Sequence, residues 1–196
     1  MKFNTLLIII VVVMVAITAV NMFMSLSNKL KIETVSYSSN YVYDSQGTVK
    51  MDSVMQIKFL KPQQIEGFLE QFKKSPSEKI SEFQNSLEDF SKNLGRILTV
   101  EDFQSTATVL SYDIVEIREV AVVKGFAGVQ DGQVNTSLGD VELDLSGDSV
   151  LTTTLPVSAK VLSVNPQPTS RPAENLLIWS NTGKIKFPEV VFVVED

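Results

Sequence analysis

The sequence contains no cysteine and no histidine. A disulfide framework is therefore excluded, as are Ser-His-Asp and Cys-His catalysis, histidine-containing zinc sites and iron–sulfur clusters. A Ser-x-x-Lys dyad would survive that loss, yet no Ser stands three residues before a Lys. Walker and Gly-rich dinucleotide turns are missing too. Positive charge is sparse: 17 Lys plus Arg face 23 Asp plus Glu, a net charge of −6, and the cations form no dense patch. Nucleic acid is thereby excluded as an expected partner, because phosphate binding needs clustered cations. Tryptophan occurs once, at Trp179.

The chain does have one long apolar run. Leu6 to Met24 is 19 residues in which only Thr18 and Asn21 are polar. As a helix it would rise about 28 Å, close to the roughly 30 Å hydrocarbon core of a bilayer. We read residues 1–28 as an N-terminal transmembrane signal anchor, with the lipid bilayer as partner through Leu6 to Met24. Cleavage at Ile17-Thr18-Ala19 or Ser25-Leu26-Ser27 is the alternative, but the run exceeds the usual apolar region of a signal peptide. Lys2 on one side and Lys29 and Lys31 on the other nearly balance the positive-inside count. The export-like start and the Ser/Thr/Val-rich composition that follows place residues 29–196 outside the cytoplasm, as a single-pass protein of the cell membrane.

Beyond the anchor, period-2 patterning dominates. Ile32 to Tyr43 and Val49 to Phe59 read as a hairpin across the turn Asp44-Ser45-Gln46-Gly47. In the second strand Val49, Met51, Met55, Ile57 and Phe59 share a face. At Pro62 the period changes. Ile65, Phe68, Leu69 and Phe72 fit a helical face, and Ser75-Pro76-Ser77-Glu78 is a strong helix start. Ile80, Phe83, Leu87, Phe90 and Leu94 continue at spacings of three and four up to Gly95. A two-helix insertion over about 62–95 is expected, joined near Lys74.

The β-rich part, about 96–196, follows. Ile97 to Val109 is ambiguous at Thr99-Val100-Glu101-Asp102, which could open a helical turn. Ile114 to Val123 is an apolar strand interrupted by Glu116, Arg118 and Glu119. Short strands are expected at Val134 to Leu138, Val141 to Leu145, Val150 to Leu155, Ala159 to Val164, Leu176 to Trp179 and Val190 to Val194. Asn165 to Pro172 reads as a stiff connector, and Asn181-Thr182-Gly183 as a hairpin turn. The fold class is α+β: an N-terminal transmembrane helix, then a mainly antiparallel, sandwich-like β ectodomain with a two-helix insertion.

The run from Leu155-Pro156 through Asn165-Pro166-Gln167-Pro168, Leu177-Ile178-Trp179 and Phe187-Pro188-Glu189-Val190 resembles a β-sandwich pattern in uncharacterised membrane-anchored ectodomains of prokaryotes. The resemblance covers the C-terminal quarter. It implies an exposed β domain of unknown function and carries over no catalytic residue.

Glu101, Asp102, Asp113 and Glu116 could supply paired carboxylates for glycoside hydrolysis. Asp140, Glu142, Asp144 and Asp148 offer hard oxygens suited to Ca²⁺, but no compact calcium loop surrounds them, and an exposed edge strand explains them better. The Ile80–Leu94 stripe fits packing on its own sheet, with a protein partner through the helical insertion as the alternative. Trp179 fits the core better than a sugar-stacking platform. Asn135-Thr136-Ser137 is a glycosylation sequon. A pilin-like subunit lacks its Gly and Glu landmarks here. No catalytic, cofactor or metal residue is assigned. The expected function is a membrane-tethered structural or protein-interaction module of the cell envelope. A ligand- or carbohydrate-binding ectodomain is the first alternative, and a pilin-like subunit or a carboxylate hydrolase the second.

Overall fold

Alternating side chains build the first half of the molecule, seen in a computed structural model that describes residues 31–195. β1 (Ile32–Tyr43) and β2 (Val49–Phe59) pair antiparallel from Ile32 opposite Phe59 to Tyr43 opposite Val49. An irregularity between Thr34 and Ser36 breaks the alternation, so Val35 points to solvent while Tyr37, Tyr41 and Tyr43 are buried. In the connecting turn the Asp44 carboxylate accepts the N–H groups of Gln46 and Thr48, both at 2.8 Å. Gly47 takes φ +76°, and a Cβ there would lie 2.5 Å from the Ala127 carbonyl oxygen.

The helical segment follows β2. A 3₁₀ turn (Pro62–Gln64), α1 (Ile65–Leu69) and a second 3₁₀ turn (Glu70–Lys73) lead to α2 (Pro76–Ser86) and α3 (Glu88–Leu94). Ser75 and Glu78 cap α2 reciprocally, and left-handed Gly95 closes α3. The stripe faces inward: Phe83, Leu87 and Phe90 are buried, and Ile80 and Leu94 pack beside them. Phe83 stacks on Phe103 with ring centres 4.5 Å apart, and Phe68 meets Phe59 edge-on at 5.2 Å.

β3 (Thr99–Val109) and β4 (Ile114–Lys124) form an antiparallel hairpin, and β4 inserts between β2 and β3, pairing antiparallel with both, so the helical segment carries the chain past the place that β4 fills. Thr99 to Asp102 is strand, not a helical turn, with a register shift at Glu101. β3 is an edge strand that α2 covers: Gln84 accepts the Val100 N–H at 2.7 Å and donates to the Leu98 carbonyl at 3.0 Å. On the other side, β8 (Val150–Thr154) joins β1 in parallel, followed by β11 (Leu176–Ser180) and β10 (Ser170–Ala173). The result is a seven-stranded sheet ordered β10-β11-β8-β1-β2-β4-β3. Its inward face shares one core with the helices and two smaller sheets. One small sheet pairs β7 (Glu142–Leu145) with β12 (Gly183–Lys186). The other is ordered β5 (Gly128–Gln130), β6 (Gln133–Asn135), β13 (Glu189–Val194), β9 (Ala159–Asn165). Helices and short strands, not a second large sheet, cover the core.

Three local expectations are corrected. Asn181-Thr182-Gly183 is a turn with positive φ at Asn181 and Gly183, but no hairpin. It sends β12 to β7, where the Phe187 N–H meets the Val141 carbonyl at 2.7 Å. The strand at Val134–Leu138 shortens to Gln133–Asn135 because the Thr136 side chain takes over the ladder. Its Oγ1 donates to Pro188 O at 2.9 Å and accepts the Val190 N–H at 2.8 Å. The connector Asn165–Pro172 ends in a strand, β10. The apolar run Leu6 to Met24 lies outside the described residues. Among those described, no helix is long and apolar enough to cross a membrane.

Candidate functional site

A polar row crosses the apolar face of the large sheet. Strand register sets Ser39 beside Ser53, Ser53 beside Glu119 and Glu119 beside Ser105, on β1, β2, β4 and β3 in turn. All four are buried, and Glu119 is only 2% exposed. The Ser39 and Ser53 hydroxyls bond each other. The Ser105 hydroxyl donates to Glu119 Oε1 at 2.9 Å, while its carbonyl accepts Lys79 Nζ from α2 at 2.8 Å. Glu119 Oε2 and the Tyr43 hydroxyl find no hydrogen-bond partner among the described residues, while the Tyr37 and Tyr41 hydroxyls lie beside each other and the serine pair.

Burial raises the Glu119 pKa to about 8, against the opposing pull of the Ser105 hydroxyl and the Lys79 charge. The carboxyl is thus mostly neutral at about pH 7. Burial likewise raises the three tyrosine hydroxyls above their ordinary range. A neutral acid can donate a hydrogen bond but is a poor general base. Its serine neighbours bond to the carboxyl or to each other.

The four carboxylates considered for hydrolysis are each engaged separately. Glu101 pairs with Lys124, and Asp102 accepts from Gln104 at 3.3 Å. Asp113 lies 3.6 Å from Lys58, and Glu116 accepts from Gln56 at 3.1 Å. In the acidic strand region, Asp140 is held by Lys186 at 2.9 Å and Asp144 accepts the Ser146 N–H at 3.1 Å. Among the described residues no group of three carboxylates is placed to hold a metal. Trp179 is fully buried and its indole donates to Pro166 O at 3.0 Å, which places it in the core and not on a sugar platform.

A second feature is an open groove of about 620 Å³ at one end of the large sheet, lined in part by Pro62, Ile65, Leu69, Val109 and Tyr112. Sequence reasoning missed both features. The signal for Glu119 was present: it alternates in phase with Val115, Ile117, Ala121 and Val123.

A family model matches residues 32–193. The chain belongs to DUF4897, a domain of unknown function. The match takes in nearly all of the described residues, so the likeness extends well beyond the C-terminal quarter. No curated protein matches the chain. Among solved structures, the DUF4897 chain is similar to an M1 zinc metallopeptidase from Deinococcus radiodurans, at 10% identity and TM-score 0.36. That match covers 83% of this chain and 42% of that one, so the chain spans well under half the peptidase's length. It is similar also to the folded domain of LppM from Mycobacterium tuberculosis, at 10% identity and TM-score 0.35, over 81% of this chain and 88% of that one. Neither likeness is close enough to carry an argument.

Proposed function

We propose that the chain is a membrane-tethered, extracytoplasmic structural or protein-interaction module of the cell envelope, and that it works without catalysis. The observation that carries this reading is a spacing. The apolar run ends at Met24, and the DUF4897 match begins at residue 32. Such a run fits a bilayer, and so short a linker would hold the domain against it. The residue types present support the absence of catalysis. The chain offers no histidine or cysteine, Glu119 is a neutral acid with serines for neighbours, and each of the other carboxylates considered for hydrolysis is engaged by a partner of its own. The stripe Phe83–Leu87–Phe90 is used on the protein's own sheet. A protein partner would therefore meet the polar face of the helical segment, where Glu88, Asp89 and Lys92 are exposed.

Carbonate extraction tests the tether, and protease treatment of intact cells and spheroplasts tests orientation. The chain should stay with the membrane, and the domain should be digested in spheroplasts while a cytoplasmic control survives. A chain released by carbonate, or a domain as protected as that control, would overturn the reading.

A further inference from the structure

We propose that the end of the large sheet formed by Leu60 and the β3–β4 turn rests in the lipid interface of the membrane that carries the anchor. The inference rests on the tether reading above and adds a second, peripheral contact to it. Three backbone bonds bring the parts of this end together. The Leu60 N–H donates to Lys31 O at 2.9 Å, the Phe59 N–H to Asp113 O at 2.7 Å, and the Leu110 N–H to Ile114 O at 2.9 Å. The start of β1, the end of β2 and the β3–β4 turn therefore lie side by side.

This end exposes several apolar side chains together. Leu60 and Leu110 are each 49% exposed and Tyr112 is 83% exposed, and the groove against α1 opens beside Tyr112. Lys31 and Lys61 are exposed around them, while Lys58 is paired with Asp113 of the turn. Apolar tips, a tyrosine and flanking lysines form the pattern that suits a headgroup boundary: the ring sits at the interface and the ammonium groups reach the phosphates.

Chain length makes lipid the occupant. Six residues, 25–30, separate Met24 from Lys31. Fully extended they reach only about 20 Å, so this end of the sheet cannot stand far from the bilayer. The opposite end can. β8 runs parallel to β1 and finishes there, and Val157 just beyond it is 93% exposed.

The test uses the full chain reconstituted in phosphatidylcholine vesicles with or without brominated acyl chains. Tyr112→Trp is compared with Val157→Trp; both side chains are exposed, and Trp179 is fully buried and common to both. Leu110→Trp repeats the probe within the same turn. Flotation reports whether the chain is membrane-bound. The indole at position 112 should lose roughly half its emission on brominated lipid, as expected for a group about 5–10 Å into the headgroup and acyl boundary. The indole at 157 should be unchanged. A chain that floats while positions 112 and 110 are quenched no more than 157 overturns the contact and leaves the tether standing. A chain that does not float overturns the tether and the contact together.

Discussion

Glu119→Gln should make the domain more stable at neutral pH while leaving its fold intact. Among the described residues Glu119 is the buried carboxyl, with a pKa of about 8 against an ordinary 4.5. Its folded-state pKa is raised. Its contribution is therefore fully present below about pH 4.5 and is lost as pH climbs to about 8. Across that window the unfolded chain releases the proton and the native chain keeps it. At about 1.4 kcal/mol per unit, the native state loses about 5 kcal/mol over the window and about 3 kcal/mol by pH 7. Glutamine has nearly the same shape, keeps a carbonyl for the Ser105 hydroxyl and never ionises. Urea unfolding of fragment 31–196, followed by Trp179 emission, should therefore give near-equal stabilities at about pH 4.5. By about pH 7 the variant should lead by about 3 kcal/mol. A stability difference that stays constant between these two pH values would refute the reasoning, since it would mean that Glu119 ionises as easily in the native state as in the unfolded chain.

Phe83→Ala removes the ring stacked on Phe103 and should cost about 3–5 kcal/mol by urea titration. Arg96 holds the carbonyls of Phe126 and Ser137. Arg96→Met should cost about 1.5–3 kcal/mol for each charged bond lost, seen first as faster amide exchange in β5 and β6. Gly47→Ala forces a Cβ onto Ala127 O at a positive φ and should cost about 1–3 kcal/mol, read as a lower melting temperature.

Where one short pattern decided the outcome, the sequence was legible. β1 and β2 end at the residues their alternation predicts, and Ser75 and Gly95 bracket the second helical stretch through local capping. The irregularity between Thr34 and Ser36 was not legible, because a bulge is a property of pairing, which a single strand does not display. β12 could not be assigned to β7 for the same reason: Asn181-Thr182-Gly183 announces a turn but not the sheet that follows it. The candidate site was half visible. Ser39, Ser53 and Glu119 each interrupt an apolar face in phase, but only the three-way register shows that they are neighbours. Ser105 completes the row from a strand that was itself ambiguous. The groove beside Tyr112 depends on how α1 lies against the β3–β4 turn, and no local pattern encodes that.

The parallel pairing of β1 with β8 has a consequence for the order of assembly. Everything from Ile32 to Lys124 can assemble from two hairpins, β1–β2 and β3–β4, joined by the helical segment and paired through β2 and β4. The free side of β1, however, finds no ladder until Ser38 meets Val150 and Val42 meets Thr154. During synthesis the nascent domain would carry a bare strand edge, the feature through which β-proteins join one another. That contact is distant in sequence and therefore slow to close. A chain arrested or clipped before Val150 should self-associate through β1, whereas a complete one should not. Any partner that attends this domain while it matures would find β1 to be the surface in need of cover.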